Sequence, residues 1–148
     1  MKKYVGTKVI EAQPMTRGAY NEYRGWQIPE NENPADAGYL VKYSDDYVSW
    51  SPADVFETIY REYDESKLPA TAESMMSTDY KERFKAEYKQ LVIRFEGLKG
   101  MLTKWDKGTL PFEPICPRGT YDMQIKAMAD YMAVLEVRAV IENVNLTV

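Results

Sequence analysis

Arg118 stands in Pro117-Arg118-Gly119-Thr120, at the head of a long run of helical periodicity. Backbone N–H groups at a helix start lack partners and the dipole there is positive, so a cation is mildly disfavoured and an anion favoured. A phosphate held at this helix start by Arg118, with Thr120 and Tyr121 beside it, is the chemistry the arrangement offers. Thr16-Arg17-Gly18 repeats the three residue types before another short helical run, and glycine lets a ligand come close to the backbone. The competing reading at both places is structural: threonine N-caps with solvated arginines. Tyr80 and Tyr121 lie near the two main helix starts, where a nucleobase can stack on a ring for ~1–3 kcal/mol. Arg94 and Arg138 sit among apolar residues, where an unpaired guanidinium is costly to bury. Either Glu96 and Glu136 pair with their neighbours, or the two arginines face a pocket between helices. Lys81, Lys85 and Lys89 form an i, i+4, i+8 column flanked by Glu82 and Glu87, best read as a solvated face.

Other chemistry is removed by composition. The chain has 148 residues, 19 Lys and Arg against 23 Asp and Glu, no His and one Cys. Without histidine there is no Ser-His-Asp triad, Cys-His dyad, imidazole base or His-containing zinc site, so an enzyme is not expected and no cofactor or metal is implied. Asp45-Asp46 reads as turn chemistry rather than a catalytic carboxylate pair. Cys116, between Ile115 and Pro117, has no second thiol and no base, and reads as a packed loop residue. The expected location is the cytoplasm. No apolar run has the ~7–15 residues of a signal peptide core or the ~18 of a membrane span. A net charge of −4 opposes binding of long nucleic acids, whose phosphates dominate affinity, but leaves small anions open.

The elements that position these residues fall into two parts. In residues 1–66, Tyr4–Ile10 and Tyr39–Trp50 are rich in aromatic and β-branched residues, and Ser44-Asp45-Asp46 turns the second run into a hairpin. Thr16 starts a short helix through Tyr23, Ile28–Asp36 is loop, and Ser51-Pro52-Ala53-Asp54 opens a helix to about Glu62. Residues 67–77 read as a linker. Beyond residue 78, Phe84, Tyr88, Leu91, Phe95, Leu98, Leu102 and Trp105 recur every three or four positions, as do Tyr121, Ile125, Met128, Met132, Leu135 and Ala139. Between them Gly108, Pro111, Pro114 and Pro117 forbid a continuous helix. The expected fold is α+β: a small antiparallel β-rich N-terminal part with short helices, then a long antiparallel two-helix hairpin over 78–148. Ala127, Tyr131, Val134, Val137, Val140 and Ile141 widen the second helix's apolar arc beyond the ~100° that one partner covers. Gly97 and Gly100 in the first helix permit close approach of another backbone. A second copy of the chain, the β-rich part or a host factor docking on Ala127, Tyr131 and Val134 would cover the surplus. Asn145-Leu146-Thr147 matches a glycosylation sequon, without meaning in a cytosolic chain.

A resemblance adds to this. P-M-T-R-G-A-Y-N-E-Y-R-G-W-Q-I-P-E-N-E-N-P-A-D-A-G-Y-L-V-K-Y and Y-V-S-W-S-P-A-D-V-F-E-T-I-Y-R look like a module of small accessory proteins of tailed bacteriophages and prophages. D-Y-K-E-R-F-K-A-E-Y-K-Q-L and C-P-R-G-T-Y-D-M-Q-I-K-A-M-A-D-Y-M-A-V-L-E-V-R-A are similar to phage helical-hairpin proteins that include anti-CBASS nucleotide sponges. A β-rich part joined to such helices most resembles the phage Thoeris anti-defence sponges. The resemblance implies a protein that sequesters a glycocyclic ADP-ribose signal, or a cyclic oligonucleotide, without cleaving it. It also implies dimers or hexamers in the host bacterial cytoplasm. Arginines for phosphates and aromatics for adenine would then fall on Arg24, Arg61, Arg94, Arg118 and Arg138, with Tyr80 and Tyr121.

Overall fold

The computed structural model describes residues 1–146. Thr147, the third position of the sequon, and Val148 lie outside the described residues. The chain divides into two units, one over Met1–Tyr63 and one from Asp64 onward.

The first unit is a three-stranded antiparallel sheet in the order β1 (Glu11–Pro14), β2 (Gly38–Lys42), β3 (Val48–Pro52), with helices α1 (Arg17–Arg24) and α2 (Ala53–Ile59). The expected hairpin is present. Tyr43 N–H donates to the Tyr47 carbonyl at 2.9 Å and Asp46 is left-handed at φ 62°, the form that closes a three-residue loop. Thr16 caps α1, its Oγ1 accepting from Ala19 N–H at 3.3 Å, as its residue type predicts. Two expectations shift. Tyr4–Ile10 carries no strand, because the ladder starts at Glu11 opposite Lys42 and β2 gives way there to its turn. Ser51 caps no helix: it pairs with Tyr39 in the sheet, so α2 begins at Ala53 and ends at Ile59, short of Glu62.

Glycine is required twice here. A Cβ on Gly38 would lie 2.3 Å from the Trp50 ring, and one on Gly18 would lie 2.7 Å from Cβ of Pro34. Gly18 therefore admits the 28–36 loop rather than a ligand, and its N–H donates to the Pro34 carbonyl at 2.9 Å. Arg17 is neither solvated nor ligand-facing. It grips Glu32 through two hydrogen bonds of 2.5 and 2.6 Å and lies over the Trp50 ring. Asn21, almost wholly buried, donates to the same Glu32 at 3.2 Å.

The second unit is the expected hairpin, with α4 (Tyr80–Asp106) antiparallel to α5 (Arg118–Glu142), preceded by a 3-10 turn (Leu68–Thr71) and the short helix α3 (Ala72–Met75). Phe84, Tyr88 and Leu91 of α4 bury with Leu135, Ala139 and Val144 into one core, as two heptad-spaced stripes should. Residues 67–77 do more than connect. Thr71 is buried and accepts from Gln90 of α4 at 2.7 Å, and Ala86, off the seam, is buried as well. At the end of α5, Asn143 is left-handed at φ 52° and Val144 N–H donates to the Ala139 carbonyl at 2.8 Å, a Schellman close that carries Val144 into the core.

Candidate functional site

The loop end of the hairpin holds the densest group of expected site residues. α4 stops where Gly108 turns left-handed at φ 67° and Thr109 N–H reaches back to the Lys104 carbonyl at 2.9 Å. Pro111 and Pro114 then line an open concavity of about 350 Å³ with Trp105, Gly108, Leu110, Phe112 and Glu113. Trp105 meets Tyr121 edge to face, centroids 5.9 Å apart at 78°. Phe112 is more than half exposed. Apolar walls with one carboxylate suit a flat ring bearing a hydrogen-bond donor.

Arg118 is not in the lining of this concavity; it is tied to Asp106, the residue after Trp105, and its fork is already occupied. Nε and Nη2 each donate to a carboxylate oxygen of Asp106 at 3.2 Å, and Nη1 bonds Asp122 one turn on. Hydrogen bonding to Asp106, above all, holds the guanidinium's pKa above its ordinary value. These acids answer the unfavourable placement of a cation at a helix start. A phosphate would engage Arg118 by replacing Asp106 in the same bidentate geometry. Thr120 is exposed in the first turn and does not cap; α5 has Pro117 at its N-cap, with no side-chain bond.

Tyr80 and Arg138 meet at the opposite end of the hairpin through Glu142. Arg138 Nε donates to Glu142 at 3.0 Å while its guanidinium lies 4.7 Å from the Phe84 ring centre. Partial burial, and then a hydrogen bond to Glu142, raise the pKa of the Tyr80 hydroxyl. Lys81 donates to the Asn143 carbonyl at 3.2 Å, at the negative end of α5. Arg94 lies between the two ends, exposed and without a partner among the described residues. Neither arginine is buried, and the acids expected beside them go elsewhere: Glu96 pairs with Lys99 and Glu136 accepts from Tyr88.

Arg24 and Arg61 lie in the first unit. Arg24 stacks 4.5 Å from the Trp26 ring centre and donates to the Val48 carbonyl at 3.3 Å. Arg61 Nη1 donates to the carbonyls of Glu57 and Tyr60. Both therefore already bind their own backbone. Cys116 is exposed rather than packed. Among the described residues, no group of three Cys, Asp or Glu is placed to hold a metal, and no helix is long and apolar enough to cross a membrane.

Asp106, Asp122 and Glu142 are the partners that residue typing missed. Asp122 and Glu142 lie four residues after their arginines and carried a readable i, i+4 signal; Asp106 lies 12 residues away across the proline loop and carried none. The α5 face foreseen as surplus is indeed exposed, at Tyr131, Val134, Val137, Val140 and Ile141.

No curated protein and no solved structure matches the chain. A family model does, over both long helices and the loop between them, in agreement with the resemblance seen in the helical segments. Residues 78–141 match the Sequestin family, whose name denotes sequestration.

Proposed function

We propose that the protein is a phage anti-defence protein that binds and sequesters a host signal of the cyclic ADP-ribose type, or a cyclic oligonucleotide, without cleaving it. The match of the whole hairpin to the Sequestin family carries this reading. The loop end supports it: a concavity with Trp105 and Phe112 in its lining offers stacking surface, and Arg118 offers a fork of the shape that a phosphate needs. Hydrolysis requires no part of this arrangement. Retention by stacking and charge-assisted bonds in a preformed cleft is sufficient for a trap. Self-association accompanies sequestration in this reading, with dimers or hexamers as the assemblies.

The test is thermal. Purified protein mixed with cyclic ADP-ribose isomers or cyclic dinucleotides should melt at a higher temperature, by the mass-action stabilisation of the folded state. Heating should then release the ligand intact. Arg118→Gln and Trp105→Ala should each weaken binding on the order of 10-fold or more, the size expected for one charge-assisted bond or one stacked ring. Release of a cleaved product would make the protein an enzyme. No melting shift with any cyclic nucleotide would favour the second reading, a helical module that docks on and inhibits a host factor through the exposed face of α5.

A further inference from the structure

Helix α5 has two apolar faces, and among the described residues of its own unit α4 packs on one of them. The face opposite α4 steps through Met123, Ala127, Asp130, Val134, Val137 and Ile141 at intervals of 4, 3, 4, 3 and 4, the spacing that places knobs into the holes of another long helix. Met123 is 75 % exposed, Val134 55 %, Val137 61 % and Ile141 77 %, with Val140 beside them also open; Tyr131 borders the face and its OH donates to Glu87 of α4. A continuous exposed apolar face of this kind marks a protein–protein interface more often than ordinary surface does.

The charges on this face name its occupant. Asp130 is the single ionised residue in the stripe, and Arg138 borders it two turns on. Within one chain Asp130 is answered by the exposed Lys126 four residues back, and Arg138 by the half-buried Glu142 four residues on, with the guanidinium also lying over the Phe84 ring. A twofold axis crossing at Val134 sets two antiparallel α5 helices so that Val134 meets Val134, Ala127 meets Ile141 and Asp130 shares a layer with Arg138. Symmetry supplies that opposite-charge pair twice. A parallel pairing would instead set Asp130 against Asp130, and like charges brought together at an interface repel.

We infer that this face of α5 is a self-complementary interface, occupied by α5 of a second copy of the chain running antiparallel across Val134. The inference rests on the self-association within the proposed function and not on the ligand. The full chain, free of nucleotide, should sediment as a dimer or a multiple of a dimer at tens of micromolar. Val134→Glu should raise the dissociation constant on the order of 100-fold while circular dichroism reports unchanged helix. Asp130→Arg alone and Arg138→Asp alone should each weaken the assembly, and the double charge swap should restore it. A monomeric wild-type chain at 100-fold higher concentration, or an assembly indifferent to Val134→Glu, overturns the interface, as does a double swap no tighter than its parents. A nucleotide-induced melting shift in a monomeric wild type would keep the binding function and discard only this interface; a dimer with no shift would do the reverse.

Discussion

Tyr88 shows how one hydroxyl can serve packing and charge together. Its ring is buried in the hairpin core and its OH donates to Glu136 across the seam at 2.6 Å, and this hydrogen bond, ahead of burial, pushes the phenol up to about 12. A raised acid keeps its stabilising contribution below the ordinary value of 10.0 and loses it as pH climbs from there toward 12. Tyr88→Phe should therefore cost about 1 kcal/mol near neutrality. It should also lose less stability than the wild type between pH 10 and 12. Urea denaturation at both ends of that range is the measurement, and an unchanged alkaline loss would assign it to another group. Arg118 was legible as a cation at a helix start, but its salt bridge to Asp106 was not, because the partner lies across a loop whose path spacing does not encode.

At the scale of elements, the two long helices were the most legible part of the molecule. Seven apolar residues of α4 and six of α5 keep step with 3.6 residues per turn, and that step alone fixes which side each faces. Leu135, fully buried, is the point where this seam is tightest. Leu135→Ala should cost about 2–5 kcal/mol through lost burial and an unfilled cavity. Leu98→Ala, at a half-buried site, should cost less than half as much in the same denaturation series; equal costs would mean that the core is not centred where the geometry puts it. The shorter elements were harder to read. Strand β1 and the start of α2 were displaced because the sheet register, not local composition, decides which residues pair. Residues 67–77 looked like a linker, yet fold as a turn and α3 with Thr71 buried on Gln90. Four-residue elements carry too little periodicity to register in a sequence.

At the scale of the whole molecule, the interface proposed on the exposed stripe of α5 predicts that stability depends on concentration. In the proposed assembly, association through Met123, Val134, Val137 and Ile141 would stabilise the folded chain by mass action, so the melting temperature should rise between 1 and 100 µM by a few degrees or more, as about 1 kcal/mol shifts a domain of this size by roughly 2–8 °C. Val134→Glu should flatten that rise, and a melting temperature independent of concentration in the wild type would count against assembly. The sequence by itself determined that the chain has a β-rich part and a helical hairpin, that α5 has a surplus apolar face, and that histidine chemistry is absent. Each of these follows from residue type or from spacing within one element, which local geometry converts directly into a direction. Only the tertiary structure decided that Arg17 belongs to Glu32, that Arg118 is held by Asp106, that Tyr80 and Arg138 share Glu142, and that Trp105 and Phe112 line one concavity. Those pairings depend on where a loop returns or two helices meet, and a chain reveals such distances only once folding has closed them.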